Sequence, residues 1–349
     1  MSLTLTVDGE RWREHLRSYA DSHPGLVPVA KGNGYGFTLG RLARRAQWLG
    51  ADTLAVGTYE ELPEVGSRFD GDLLVLSPWR PFVEDLDPAL GERVVHTVSR
   101  PGDLDVLLAR QPRARVVLER MTSMRRHGLD AQQLWDEGLR RHLAEARFEG
   151  VALHLPLAQG AHLSEVGRLL DDVVGMGLEQ PPTIWVSHLT DDELVRLGST
   201  YADFTFRPRV GTALWLGDRG ALRVTATVLD VHEVGRGDVF GYRGRSAPKA
   251  GHVLVVSGGT AHGIGLESPT GDTSLRARAA TVARGGLDAA GFVRSPYSID
   301  GKQRLFAEPP HMQASMLFLP RGARVPEVGD EIDVRVRYTA TTFDRIVIA

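Results

Sequence analysis

The feature that most limits how this chain can fold is a beat repeated eight times between Leu26 and Arg209. Short apolar runs at 26–31, 53–57, 73–77, 93–98, 115–119, 149–154, 183–187 and 204–209 alternate with stretches of helical periodicity. Each run reads as a buried strand bounded by turn chemistry. Eight βα units in succession predict a (β/α)8 TIM-like barrel. From Leu222 the helical period fades. Runs at 222–234, 253–257, 275–283, 314–319, 331–338 and 345–348 follow with turns between them, which predicts a C-terminal all-β domain. The expected division is therefore 1–220 for the barrel and 221–349 for the β-domain, with L-G-D-R-G at 216–220 as the link. Residues 4–7 form a short strand-like start, and 10–20 an amphipathic helix.

Active sites of such barrels lie at the C-terminal ends of the strands. The first strand here ends on Lys31, the fifth on Glu119 with Arg126 soon after, and the sixth on His154. The seventh ends on Ser187 and His188, the eighth on Arg209, Val210, Gly211 and Thr212. Lys31 stands out because the chain has only three lysines, Lys31, Lys249 and Lys302, and uses arginine for almost every other cation. Arginine keeps its proton, whereas lysine can lose one and form a Schiff base. A lysine, a carboxylate, two histidines and two arginines converging on one mouth mark it as a candidate active site rather than a row of solvated strand ends.

Other classes are disfavoured. The formal charge of −3 and the absence of a basic cluster argue against nucleic acid. No apolar run approaches the ~20 residues of a membrane span, and the first residues lack the regions of a signal peptide. There is no cysteine, so neither a disulfide framework nor a thiolate metal site is expected. A cytoplasmic soluble protein without a metal is the expectation.

The strand-end motifs carry a family resemblance. V-A-K-G-N-G-Y-G, at 29–36, resembles the pyridoxal-phosphate signature of the alanine racemase family, usually V-K-A-N-A-Y-G-H-G. E-R-M-T-S-M-R-R-H-G, at 119–128, is similar to K-V-D-T-G-M-G-R-L-G. G-V-A-L-H-L, at 150–155, resembles the strand that ends in T-H, and F-R-P-R-V-G-T-A-L-W, at 206–215, the R-x-G-I-A-x-Y segment. The resemblance covers the barrel in order and implies the same architecture as the periodicity. It implies pyridoxal 5′-phosphate held as an internal aldimine on Lys31, with Lys31 as one catalytic base and Arg126 near the phenolic oxygen. Arg209 would face the pyridine nitrogen with His154 behind it. Tyr35 and the Gly211 and Thr212 amides would hold the phosphate, with Ser187 or His188 as further candidates. An arginine against that nitrogen leaves the ring a weaker electron sink, which suits racemisation better than transamination.

The sequence also departs from the family pattern. Glu119 stands where the family has a lysine, often carbamylated to an anion. The tyrosine that a neighbouring subunit supplies as second base, in G-Y-x-D-G-Y, is matched by Thr260 in V-S-G-G-T-A-H-G-I-G at 256–265. A threonine hydroxyl cannot act as that base. His262 is the nearest residue able to move a proton near neutral pH, and Tyr297 is a remoter candidate. C-M-D-Q becomes H-M-Q-A at 311–314, with Gln313 for the aspartate, and a late tyrosine becomes Phe343. The reading is thus an amino-acid racemase acting as a homodimer with a shared site, in which His262 approaches the partner's cofactor. Two alternatives stay open. One is another pyridoxal-phosphate reaction, such as one-base epimerisation, elimination or decarboxylation, and the other is cofactor binding without catalysis. Zinc-assisted relatives fit poorly without cysteine.

Overall fold

Eight parallel strands close into a barrel in chain order: β2 (Val27–Ala30), β3 (Thr53–Val56), β4 (Asp72–Val75), β5 (Val94–Val98), β6 (Arg115–Arg120), β7 (Arg147–His154), β8 (Ile184–Ser187) and β9 (Phe206–Val210), with β9 returning to β2. The first strand of the chain, β1 (Leu3–Val7), lies elsewhere. The structure, a computed structural model, describes residues 2–157, 162–266 and 293–349. The strand expected at 275–283 lies outside them. All eight barrel strands coincide with the runs read from the sequence. Among the described residues, no helix is long and apolar enough to cross a membrane.

The barrel follows from alternation within each strand. One set of side chains fills the interior: Val27, Val29, Ala55, Leu74, Val95, Val117, Ala152 and Trp185. Their neighbours, among them Val98, Val116, Leu118, Val151, Leu153 and Val186, pack outward with Leu104, Leu107, Leu139, Val166, Leu170 and Leu197. Those last residues belong to the crossover helices Pro101–Arg110, Glu137–Glu145, His162–Val174 and Asp191–Thr200. The helical stretch between β6 and β7 is broken in two, at Ala131–Leu134 and Glu137–Glu145. Asp136 causes the break, because its carboxylate accepts from the Leu139 N–H at 2.9 Å and starts a new helix.

The remaining strands form one antiparallel-rich sheet. They are β10 (Leu222–Val234), β13 (Gly251–Ser257), β14 (Arg294–Ile299), β15 (Lys302–Phe306), β16 (Ala314–Pro320), β17 (Glu331–Val334) and β18 (Arg345–Ile348), joined by β1. A small hairpin, β11 (Val239–Phe240) with β12 (Arg245–Ser246), stands apart from that sheet. The sheet runs β13-β16-β15-β14-β17-β10-β1-β18, and β10 also pairs with β13, so part of it closes on itself. A register shift between Val228 and Asp230 lets the long β10 serve different partners along its length.

Two compact units result: Met1–Arg13 with Asp218–Ala349, and Glu14–Gly217. The chain's first residues therefore group with the sheet, whereas the sequence reading assigned 1–220 to the barrel. The reason is pairing. Leu3, Leu5 and Val7 are fully buried, and β1 is hydrogen-bonded antiparallel to β10 and parallel to β18. The β14–β15 hairpin was not anticipated either. Its turn is Asp300-Gly301, with φ of 52° and 69°, the left-handed pair that D-G favours.

His96 is a buried polar group of the barrel with a partner on each ring nitrogen. His96, only 1% exposed, meets the Tyr59 hydroxyl at 3.0 Å through Nδ1 and Gln111 at 3.2 Å through Nε2. Burial lowers the His96 pKa from 6.5 to about 4, opposed by the Gln111 hydrogen bond. Its folded value lies below the unfolded one, so the unfolded chain takes up the proton first as pH falls. The stability that neutral His96 permits is complete above pH 6.5 and is lost as pH drops toward about 4. That loss amounts to roughly 3 kcal/mol at ~1.4 kcal/mol per pH unit. Denaturant unfolding at pH 7 and pH 4.5 should show a smaller acid loss for His96→Gln than for the wild type. Equal losses would exclude His96 as a source of acid sensitivity.

Candidate active site

The alternation that fills the barrel also fixes its mouth. Val27 and Val29 point inward, so Lys31, two residues on, faces the same side at the end of β2. By the same parity Val117 leads to Glu119 and Ala152 to His154. Trp185 leads to Ser187, whose register partner on β7 is His154. Arg209 enters from β9, where it is paired with Val27. One inward row at the top of the strands thus carries the lysine, carboxylate, histidine, serine and arginine.

The loop after Lys31 is tightly wound. Gly34 has φ +63°, and a Cβ there would stand 2.7 Å from the Leu39 backbone nitrogen. Tyr35 is non-glycine yet takes φ +54°, a conformation that costs about 1 kcal/mol or more and recurs at functional sites. That turn buries the Tyr35 ring against Gly211, where a Cβ would fall 1.9 Å from the phenol oxygen. Gly211 immediately precedes the short helix Thr212–Leu216. First-turn amides of a helix find no partner within it, so these groups remain available to an acceptor.

Glu61, which sequence reading missed, ties two strand ends together. Its carboxylate accepts from the Gly32 N–H at 2.6 Å and the Gly57 N–H at 2.6 Å. It also accepts from the Thr58 N–H at 3.3 Å. The T-x-x-E spacing of Thr58 and Glu61 is a capping-box signature and could have flagged it. Arg80 was also missed. It pairs with Asp103 at 2.8 Å and acts electrostatically on Glu119.

The mouth is crowded with mutually sensed charge. Lys31 is reached by solvent, but the surrounding wall desolvates its ammonium and lowers its pKa. Arg126 and Arg209 lower it further, against an opposing pull from Glu61. Burial raises the pKa of Glu119, opposed by Arg209, Arg126 and Arg80. Arg209 is lowered to about 10 by burial, with Glu119 opposing, and so remains a cation at neutral pH. His154 is pushed down to about 3 by burial and then by Arg209, Arg126, His188 and Lys31, so it is neutral. Burial lowers His188 as well, against the raising effect of its hydrogen bond to Leu155. Tyr35 is raised to about 12 by burial and by Glu61.

Hydrogen bonds hold these groups in place. Ser187 Oγ meets His154 Nδ1 at 2.8 Å, and Thr122 donates to the His154 carbonyl at 2.7 Å. His188, at φ +66°, donates from Nδ1 to the Leu155 carbonyl at 2.6 Å. Arg209 Nη2 donates to the Leu153 carbonyl at 3.1 Å. Glu119 Oε2 and Arg209 Nε are buried without a hydrogen-bond partner among the described residues. Lys31, Tyr35, Glu119, Arg126, His154, Ser187, His188, Arg209, Gly211 and Thr212 all belong to the barrel unit, and the electrostatic couplings draw most of them together.

His262 belongs to the sheet unit and is spoken for within it. Its Nδ1 accepts from the Gly259 N–H at 3.2 Å, so Nε2 carries the proton that is donated to Asp344 Oδ1 at 2.9 Å. Asp344 Oδ2 in turn accepts from the Leu3 N–H at 2.8 Å. The glycine-rich loop around His262 is itself packed within the sheet unit. His262 is 8% exposed and Ile264 is 3% exposed. Tyr297 is fully buried, its hydroxyl donating to the Ser257 and Gly258 carbonyls at 3.0 and 2.8 Å.

The close approach of Tyr35 to Gly211 gives a direct test. Gly211→Ala should cost about 1–3 kcal/mol of stability as an overpacking change. Adding Tyr35→Ala should recover part of that loss, with a coupling of ~0.5 kcal/mol or more in a double-mutant cycle. Strict additivity would show that the two residues do not press on each other.

The family model described as "Alanine racemase, N-terminal domain" matches residues 7–182. No curated protein matches significantly. Solved structures match over almost the whole chain. An alanine racemase from Bartonella henselae with covalently bound pyridoxal phosphate is 16% identical, with a TM-score of 0.72 and 100% of both chains covered. One from Bacillus anthracis with bound L-Ala-P is 19% identical at TM-score 0.68, covering 99% of this chain and 87% of that one. One from E. faecalis is 21% identical at TM-score 0.67, covering 95% and 88%. At these identities the structures establish a shared fold.

Proposed function

Because the chain belongs to the alanine racemase family, we propose that it is a pyridoxal-phosphate-dependent amino-acid racemase whose cofactor is carried on Lys31. The observation that supports this most is the state of Lys31. It is the lysine of the barrel mouth, and burial, Arg126 and Arg209 all push it toward the neutral amine that attacks an aldehyde.

The residues present fit the cofactor. The Gly211 and Thr212 amides and the Tyr35 hydroxyl suit a phosphate, which backbone amides at a helix start bind well. The unpartnered Arg209 Nε and Glu119 Oε2 mark a mouth with hydrogen-bonding capacity to spare. When bound, pyridoxal phosphate supplies an electron sink that makes the substrate's α proton removable. Lys31 Nζ takes or returns that proton on one face. Arg209 would hold the pyridine nitrogen without protonating it, because a pKa of about 10 keeps the guanidinium cationic at neutral pH. Ser187 fixes the His154 ring, and the Leu153 carbonyl fixes Arg209. Glu119 supplies the negative charge beside Arg126 that the family obtains from a modified lysine. The substrate is a small amino acid, and two copies of the chain share the site.

A second reading rests on Thr260. With no tyrosine at that position, the same scaffold with Lys31 as its only base would exchange the α proton and retain configuration. One experiment separates the readings. Purified protein reconstituted with pyridoxal phosphate and treated with borohydride should carry the added mass on the Lys31 peptide, and Lys31→Ala should not. Alanine, serine, lysine and glutamate are then incubated with it in deuterated water and resolved chirally. Exchange with inversion supports the racemase, and exchange with retention supports the one-base reading. Cofactor attachment with neither would leave a carrier. No attachment at Lys31 would overturn the proposal outright. Sedimentation at micromolar concentration should show a dimer, and an active monomer would refute the shared site.

A further inference from the structure

We propose that His311, oriented by Glu308, is the second acid–base group of the reaction, presented by the sheet unit to a second copy of the chain. The proposal rests on the racemase reading above and supplies the base which that reading lacks.

The stretch around Thr260 and the stretch around His311 are laced together. The Thr260 N–H donates to the His311 carbonyl at 2.8 Å, Ala261 to Met312 at 2.9 Å and Gly258 to Gln313 at 3.0 Å. A Cβ on Gly259 would fall 2.1 Å from the His311 carbonyl oxygen, so the two stretches lie backbone against backbone. His311 is therefore the immediate neighbour of the position at which the sequence lost its tyrosine. Thr260, His311, Gln313 and Tyr242 line one open hollow of about 790 Å³. The two candidates that the sequence offered are committed elsewhere, His262 to Gly259 and Asp344, and Tyr297 to the core.

The His311 ring has the arrangement of a working acid–base histidine. Nε2 donates to Glu308 Oε1 at 2.6 Å. Glu308 is only 2% exposed and also accepts from the Tyr242 N–H at 3.3 Å. Gly241, at φ +73°, makes room for it, since a Cβ there would lie 2.3 Å from the carboxylate. A buried carboxylate on one ring nitrogen fixes the tautomer, orients the ring and steadies the imidazolium. Nδ1 is left to act, and among the described residues it makes no hydrogen bond. The side chain keeps 27% exposure, so the ring is reachable from the hollow. Tyr242 tilts over it with centroids 4.5 Å apart.

The proton balance is simple. His311 Nδ1 accepts the α proton from one face of the substrate, while the Lys31 ammonium of the other chain returns one to the opposite face. The reverse direction exchanges these roles, and no oxidant or further reactant is needed.

The test uses dimeric holoenzyme, L-alanine and D-alanine as separate probes, and α-proton exchange in deuterated water followed by NMR. His311→Gln should slow exchange of one enantiomer at least 100-fold, with exchange of the other within threefold of wild type and Lys31-bound cofactor at full occupancy. Glu308→Gln should slow the same enantiomer by a smaller factor. Imidazole should restore part of the exchange in His311→Ala. Mixed dimers of Lys31→Ala and His311→Gln chains should regain about a quarter of wild-type turnover, since half of random dimers hold one intact site of two. The proposal falls if His311→Gln exchanges both enantiomers normally, if it loses both, or if Tyr242→Phe rather than His311→Gln gives the one-sided loss. Wild-type holoenzyme that exchanges neither enantiomer of alanine, serine, lysine or glutamate would overturn the racemase reading, and this inference with it.

Discussion

Closure of eight parallel strands into a barrel is the constraint on which the rest of this molecule depends. A closed barrel has a true inside, so every inward position must either fill the core or stand at an end. Once Val29, Val117, Ala152 and Trp185 occupy the interior, the pleat dictates where Lys31, Glu119, His154 and Ser187 point. Outward packing of Val116, Leu118 and Val186 on the crossover helices locks that parity. A one-residue slip in any strand would bury its charged terminal side chain among helices and expose a valine to the mouth. Placement of the site is thus a by-product of packing the core.

The charge at the mouth depends on the same enclosure. Lys31, Arg126 and Arg209 share a wall with two histidines, and among the described residues Glu119 and Glu61 oppose them. Bringing cations together out of water is unfavourable, and the chain limits the cost by keeping His154 and His188 neutral. It retains charge on Arg209, which no ordinary environment deprotonates at neutral pH. The mouth is therefore cationic by way of its arginines and nucleophilic by way of its lysine. Those are the two properties that a phosphate-bearing aldehyde requires.

Much of this was legible in the sequence, and the reasons differ by residue. The strand runs could be read because parallel strands are apolar on both faces, and the strand-end residues because the runs stop on them. Lys31 was conspicuous because it ends a strand, opens a glycine-rich motif and belongs to a chain that hardly uses lysine elsewhere. Glu61 was overlooked because its spacing from Thr58 signals only a helix cap, whereas the tie to the Gly32 and Gly57 amides exists only once the strands are side by side. The grouping of β1 with the sheet depends on pairing Leu3 with Ala226 across more than two hundred positions, which no local pattern encodes. The Asp300-Gly301 turn, by contrast, was a plain hairpin signal that the eye passed over between weaker strand patterns.

In the sheet unit, hydrogen-bonded backbone decides which side chains share a surface. The backbone ladder between Gly258–Ala261 and His311–Gln313 ties two sequence-distant stretches into one surface. Side chains on either stretch then look out on the same hollow. The ladder sets His311 beside Thr260, and Glu308 is buried behind its ring. His262 is closer in sequence to Thr260, yet its ring has turned inward to hold Gly259 and Asp344. Proximity along the chain pointed to one histidine, while proximity across the ladder brings the other to the hollow. Which side chain is left open there is thus decided by the hydrogen-bonded frame rather than by spacing along the sequence.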